Sequence, residues 1–213
     1  MPLQKARSEA EGHNSAMPPE PQRWQRVRTT RREDYTVLRV REDIFLDPRD
    51  GRERPRVILE ADEWCNVLPI TRDGKAVLVN QFRFGSNAIS LEVPGGVVDP
   101  GETPAAAAAR ELEEETGYRP GRMLDLGSVW ANPAHFTNRV HSFLGLDCEP
   151  IHDGRPGVPP GDMGVPPGDM DEGEDITIEL VDRADLDRLV RDGRITHPFS
   201  VVTLYLASLR DAT

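Results

Sequence analysis

The spacing of apolar residues changes along the chain, and each change marks an element. Trp24–Thr30, Tyr35–Arg41 and Arg56–Glu60 alternate or are β-branched, so they predict three short strands. Asp47-Pro48-Arg49-Asp50-Gly51 supplies turn chemistry between the last two. Cys65–Thr71 and Ala76–Phe84 predict a hairpin closed over Asp73-Gly74, and Ala88–Val93 a further strand that Pro94-Gly95-Gly96 breaks. Then the period lengthens. Thr103 suits an N-cap, Pro104 a first helical position, Ala105–Ala109 are strong helix formers, and Gly117 suits a left-handed stop. A helix of about four turns over Thr103–Thr116 follows, with Ala105, Ala109, Leu112 and Thr116 as its packing face. Val129–Trp130, Val140–Asp147 and Ile176–Val181 return to strand, and Arg183–Arg191 and Pro198–Leu209 are amphipathic helices. The order predicts an α/β (α+β) fold: a mixed sheet with helices on its faces, plus a small N-terminal antiparallel sheet.

A chain of 213 residues with 37% hydrophobic content buries one full core and a small annex. Residues 1–22 are polar and lack periodicity, which predicts a disordered tail without a signal-like apolar core. Residues 23–61 form the N-terminal sheet and residues 62–213 the main domain. Three strands are too few to stand alone, so the small sheet needs another surface, either the main domain or a second subunit. Within loop 154–173 the heptapeptide GVPPGDM occurs twice in tandem, at Gly157–Met163 and Gly164–Met170. Its Pro-Pro pairs and glycines read as an extended surface-loop expansion.

A formal charge of −11 argues against general nucleic-acid binding, which needs a basic stripe. No apolar run approaches membrane-spanning length. Cys65 and Cys148 form neither a C-x-x-C pair nor a zinc spacing, so they read as core thiols of a cytoplasmic protein. The five histidines are scattered, without a ligand-like cluster.

One acidic face stands out against this background. Glu111, Glu114 and Glu115 share a side of the predicted helix, at spacings that destabilise it by a few tenths of a kcal/mol per like-charged pair. A hard cation preferring oxygen ligands reverses that sign. The segment Gly96–Tyr118 reads GVVDPGETPAAAAARELEEETGY and fits G-x5-E-x7-R-E-U-x-E-E-x-G-U, where U is bulky and apolar. Seven fixed positions at about 6% usage each make a chance match rarer than about one in a million.

This stretch resembles the Nudix box, with no departure at a defining position. The resemblance implies a strand–loop–helix module whose glutamates hold divalent cations against a diphosphate, within an α/β/α sandwich. The flanks Gln81–Phe84, Leu91–Gly96, Asn132-Pro133-Ala134 and Asp171–Ile176 resemble the ADP-ribose pyrophosphatase and nucleoside-diphosphate-sugar hydrolase branch. It implies Mg²⁺, with Mn²⁺ able to substitute, held by Glu111 and Glu115, with Glu114, the Gly95 carbonyl and Glu174 as further ligands. Arg110 orients the glutamates, with Glu92 as its expected partner. Arg83 is the candidate diphosphate clamp, because its fork suits phosphate oxygens. Phe82 or Trp24 would stack the nucleobase. Glu172 is the expected general base, with Glu114 next in line.

The implied reaction is hydrolysis of a nucleoside diphosphate sugar to NMP and a sugar phosphate, in a homodimer whose N-terminal strands complete the nucleobase pocket. One alternative keeps the chemistry and changes the substrate to nucleoside triphosphates or dinucleoside polyphosphates. Such enzymes are often compact, so the strands over Trp24–Glu60 weigh against them. A non-catalytic nucleotide-sugar binding module would be expected to have lost box carboxylates, and none is lost here.

Overall fold

The computed structural model describes residues 20–151 and 176–211. Its organising strand is β4 (Trp64–Thr71), whose side chains alternate between two buried faces. On one side it runs parallel to β10 (Arg139–Pro150); on the other it meets β5 (Lys75–Arg83) and the short β7 (Gly95–Val97), both antiparallel. The eight-stranded mixed sheet is completed by β6 (Ala88–Glu92), β8 (Tyr118–Arg119), β9 (Arg122–Trp130) and β11 (Ile176–Asp182).

Strand periodicity sorts the core into two halves. Cys65, Val67, Val77 and Phe143 pack under helix α1 (Pro104–Thr116) through Ala107, Ala108 and Leu112. Their sequence neighbours Leu68, Leu78 and Leu144 face the opposite way. They join Leu186 and Leu189 of α2 (Leu186–Arg191) and Ala207 of α3 (Pro198–Asp211). Fully burying a leucine such as Leu112 contributes about 2 kcal/mol. The result is the expected sandwich, helix–sheet–helix.

The N-terminal sheet comprises β1 (Gln25–Asp34), β2 (Arg39–Leu46) and β3 (Glu53–Glu60), antiparallel in sequence order. Nearly every residue of β1 is exposed. A latch joins this sheet to the loop before β10: the Leu59 N–H donates to the His135 carbonyl at 2.9 Å, and the Thr137 N–H donates to the Leu59 carbonyl at 3.1 Å.

Several boundaries differ from those read in the sequence. β2 begins at Arg39 and runs to Leu46, with Asp43 and Ile44 as its buried residues, while Tyr35 and Val37 lie in the exposed turn before it. β9 reaches back to Arg122, its polar residues satisfied by edge exposure. β6 ends at Glu92, just before the break read at Pro94-Gly95-Gly96, but the Gly95-Gly96 pair itself rejoins the sheet. It forms β7, pairing with Asn66 and Cys65. Residues Arg183–Asp185 make a 3₁₀ turn before α2, and a two-residue strand β8 follows α1. The tail up to residue 19, the GVPPGDM duplication, Glu172 and Glu174 lie outside the described residues. Among the described residues no helix is long and apolar enough to cross a membrane.

Candidate active site

Helix α1 is fixed at both ends as its sequence requires. The Thr103 hydroxyl accepts the Ala106 N–H at 3.2 Å, and Gly117 (φ 66°) closes the helix by donating to the Glu113 carbonyl at 2.9 Å. The buried face is Ala107, Ala108, Leu112, Glu115 and Thr116, so Ala105 and Ala109 do not belong to it as expected. The difference is a rotation that carries Glu115 inward. Its carboxylate, in a residue only 5% exposed, accepts the Gly95 N–H at 3.0 Å.

Strand β7 lies tight against α1 at Gly96 and against β4 at Gly95 because two side chains are missing. A Cβ on Gly96 would lie 2.2 Å from Glu111 Oε1, and one on Gly95 would lie 2.2 Å from the Cys65 carbonyl oxygen. These are approaches only glycine permits.

Arg110 gathers the acidic face. It donates to Glu111 at 2.9 Å, Glu114 at 2.8 Å, both oxygens of Glu102 at 3.1 and 3.3 Å, and the Val97 carbonyl at 3.1 Å. Hydrogen bonding to Glu102 is the largest of several influences holding the guanidinium firmly protonated, and the same bond holds the Glu102 carboxyl below its ordinary range. The expected pairing of Arg110 with Glu92 does not form, because Val97 and Glu102 hold Arg110 on the α1 side.

Glu92 instead belongs to Arg83, which donates through Nε and Nη2 to its two carboxylate oxygens at 2.8 Å each. Burial at 2% exposure would push this carboxyl up, but the Arg83 hydrogen bonds and charge prevail and hold it low. Glu92 is therefore an anchor for the Arg83 guanidinium. Sequence offered a signal for this pair: Arg83 faces Ala88 across the hairpin, and Glu92 lies an even offset from Ala88, on the same face.

The two aromatic candidates lie in different neighbourhoods. Phe82 is partly exposed, edge-on to the largely exposed Phe84 at 5.3 Å. Trp24 precedes β1, with the Arg56 and Arg49 guanidinium groups 4.9 and 5.7 Å from its ring centre.

Among the described residues no trio of Asp, Glu, His or Cys is already drawn together in metal-holding geometry, and Arg110 is the cation that engages Glu111 and Glu114. The donor set nevertheless fits a hard divalent ion. It offers only oxygens, on adjacent helical turns, against a backbone cleared of side chains.

Residues 64–194, more than half of the chain, match the NUDIX domain family. The chain belongs to the Nudix family. Its members generally use a divalent metal. Over 114 residues the chain is 32% identical to an ADP-ribose pyrophosphatase of Bacillus subtilis (strain 168), a match covering 54% of this chain and 60% of that relative. The chain thus spans about three fifths of that protein's length. An ADP-ribose pyrophosphatase of Haemophilus influenzae is 28% identical over 188 residues, covering 84% of this chain and 82% of the relative. Among solved structures, the crystal structure of an ADP compounds hydrolase superposes with a TM-score of 0.73 at 20% identity, covering 90% and 95% of the two chains. The fold of this Nudix chain is accordingly shared well beyond the box, over 90% of its length.

Proposed function

We propose that this Nudix chain hydrolyses the diphosphate bond of a nucleoside diphosphate sugar of the ADP-ribose type, adding water across P–O–P to release NMP and a sugar phosphate. The observation that carries the reading is the helix α1 face: Glu111, Glu114 and Glu115 stand over the glycine strand Gly95–Gly96, with Arg110 bridging two of them. The printed names of the Bacillus and Haemophilus relatives support the substrate class.

In this reading Glu111 and Glu115 hold Mg²⁺, or Mn²⁺ in its place, with Glu114 and the Gly95 carbonyl as further ligands. Bound there, the ion neutralises diphosphate charge and acidifies water. Arg110 sets the directions of the Glu111 and Glu114 carboxylates. Arg83, its plane fixed by Glu92, is the arginine that binds a phosphate oxygen. Glu172 as general base and Glu174 as an additional ligand enter on sequence grounds alone. Phe82 and Trp24 stay candidates for stacking the nucleobase, Trp24 through a second subunit.

The exposed N-terminal sheet supports a homodimer. Light scattering on the full chain and on a chain starting at Asp62 tests this, and a monomeric full-length protein would reject it. The buried, unpaired Cys65 and Cys148 support a reducing, cytoplasmic setting. The decisive assay is a Mg²⁺-dependent hydrolysis panel of ADP-ribose, GDP-mannose, UDP-glucose, NADH, diadenosine polyphosphates and dNTPs. The expected outcome is AMP plus ribose 5-phosphate from ADP-ribose; preferential cleavage of dNTPs would overturn the substrate class.

A further inference from the structure

The Arg83–Glu92 fork has a third member that the proposed chemistry does not use. His197 immediately precedes α3, and its carbonyl accepts the Val201 N–H at 3.1 Å, the first bond of that helix. The following Pro198 restricts it to extended backbone. Its ring stands edge-on to Phe199, with centroids 5.1 Å apart, and Phe199 in turn meets Trp64 of β4 at 6.3 Å. One residue further, the Ser200 hydroxyl accepts the buried Val93 N–H at 3.2 Å. The first turn of α3 is therefore a backing for the segment that runs from Glu92 into the glycine strand.

Within this backing His197 Nδ1 is buried and, among the described residues, makes no hydrogen bond, yet it lies 3.4 Å from Glu92 Oε2. We propose that His197 is a positioning residue for the phosphate-binding arginine: it holds the Glu92 carboxylate, which holds the plane of the Arg83 guanidinium. This inference rests on the diphosphate-cleaving reading for its kinetic consequence, though not for its structural one. The chain of contacts is direct. Glu92 engages Nε and Nη2 of Arg83, so any swing of the carboxylate toward the ring redirects Nη1.

The charges facing the imidazole are the Glu92 carboxylate from β6 and the Arg83 guanidinium from β5. Burial lowers its pKa from the ordinary histidine value, Arg83 adds to that lowering, and Glu92 opposes it without prevailing. At neutral pH the ring is uncharged, and its 3.4 Å polar contact with Oε2 steadies the carboxylate without drawing it away from Arg83. On acidification, below the ordinary histidine range near about 6.5, imidazolium competes for Glu92 Oε2. The fork then loosens, and substrate binding weakens before the catalytic step does.

Two variants and two readouts test this. His197→Phe keeps an aromatic ring but removes the polar contact. It should raise KM for the cleaved substrate by about tenfold, with kcat within about twofold. His197→Asn places an amide near the Nδ1 position without a titrating charge. It should keep the wild-type KM at neutral pH and lack the rise in KM that wild type shows on acidification. Independently of turnover, the Arg83 Nε–H signal in a ¹H–¹⁵N spectrum, assigned through Arg83→Lys, should be narrow in wild type and in His197→Asn. It should be broadened in His197→Phe. If the panel shows no nucleotide-sugar cleavage but the Nε–H signal responds as described, the functional reading fails and the positioning link stands. If substrate is cleaved and both KM and the Nε–H signal ignore His197→Phe, the link is overturned and the function survives. Should His197→Phe not fold, His197→Asn decides: an unchanged acid rise in KM overturns the inference, and its loss supports it.

Discussion

Adjacent glycines in β7 should respond to the same substitution in opposite ways. In Gly96→Ala the atoms nearest the new Cβ are the three of the Glu111 carboxylate, at 2.2, 2.4 and 2.7 Å. That is the far end of a flexible side chain. Relieving the clash to ordinary contact near about 3.4 Å requires the carboxylate to move by about 1 Å. A shift of that size in a positioned catalytic group costs on the order of a hundredfold in rate. Stability should hardly change, because the group that must give way is the end of a flexible side chain and Gly→Ala also removes unfolded-chain entropy, a stabilising effect of about 0.4–1 kcal/mol. In Gly95→Ala the Cβ instead meets backbone, 2.2 Å from the Cys65 carbonyl oxygen and 2.9 Å from the Asn66 Cα. Backbone cannot step aside without breaking the β4–β7 pairing, so a loss of at least about 1–3 kcal/mol is expected. The assay pairs thermal melting with kcat on ADP-ribose and with Mn²⁺ titration. The expected pattern is normal melting with lost turnover and weakened Mn²⁺ binding for Gly96→Ala, and early melting for Gly95→Ala. Wild-type turnover in Gly96→Ala, or equal destabilisation of the two, would refute the reasoning.

Glu115→Gln keeps an oxygen able to accept the Gly95 N–H but removes an anionic ligand; the fold should persist while kcat falls by at least about a hundredfold at saturating Mg²⁺. Full turnover would remove Glu115 from the metal site. Burial pushes the Cys65 and Cys148 thiols up to about 12 and about 11, so neither should react with a disulfide reagent at pH 8 until the protein unfolds. A stoichiometric reaction in the native state would contradict their packing. Arg49, by hydrogen bonding, is the main reason the Asp47 carboxyl sits well below its ordinary range, with Arg54 adding to this against the opposing effect of burial. Its stabilisation is therefore present above the unfolded value near about pH 4 and is lost as pH falls through the depressed folded one. Asp47→Asn should melt earlier than wild type at neutral pH, with the gap closing toward about pH 2. A gap independent of pH would mean the charge is not what matters.

The elements legible in the sequence were those written in local chemistry. Helix α1 carries its own cap, first-position proline and terminal glycine, and both ends fell where those residues stand. Alternation in β4 and β5 was equally plain, because both faces of the sheet are buried and each step of two returns to one core half. What local chemistry does not contain is which neighbour an edge strand finds. Gly95 and Gly96 read as a break, yet β4 supplies pairing partners from thirty residues upstream in Asn66 and Cys65. The apolar face of α1 shifted for a related reason. Glu115 is drawn in by a backbone N–H on another strand, a donor that helical periodicity cannot know about.

The same distinction governs the site. Glu111, Glu114, Glu115 and Arg110 lie on successive turns of one helix, so a one-dimensional spacing sufficed to group them. Arginine partners are set by three-dimensional reach. Arg110 faces several carboxylates, and Glu92 went to Arg83 instead because both stand on one side of the β5–β6 hairpin. Once that pairing is fixed, the two arginines divide the work. Arg110 is tied to glutamates of the acidic face, and Arg83 is anchored by a carboxylate more deeply buried than itself. A guanidinium held on its Nε–Nη2 edge keeps a defined plane and direction, which is what recognition of a tetrahedral phosphate oxygen requires. In the proposed reaction Glu92 would contribute to phosphate binding through the arginine it holds, and the start of α3 would contribute through the histidine beside that glutamate. The helix that sequence periodicity read only as an amphipathic cover is part of the support of the site.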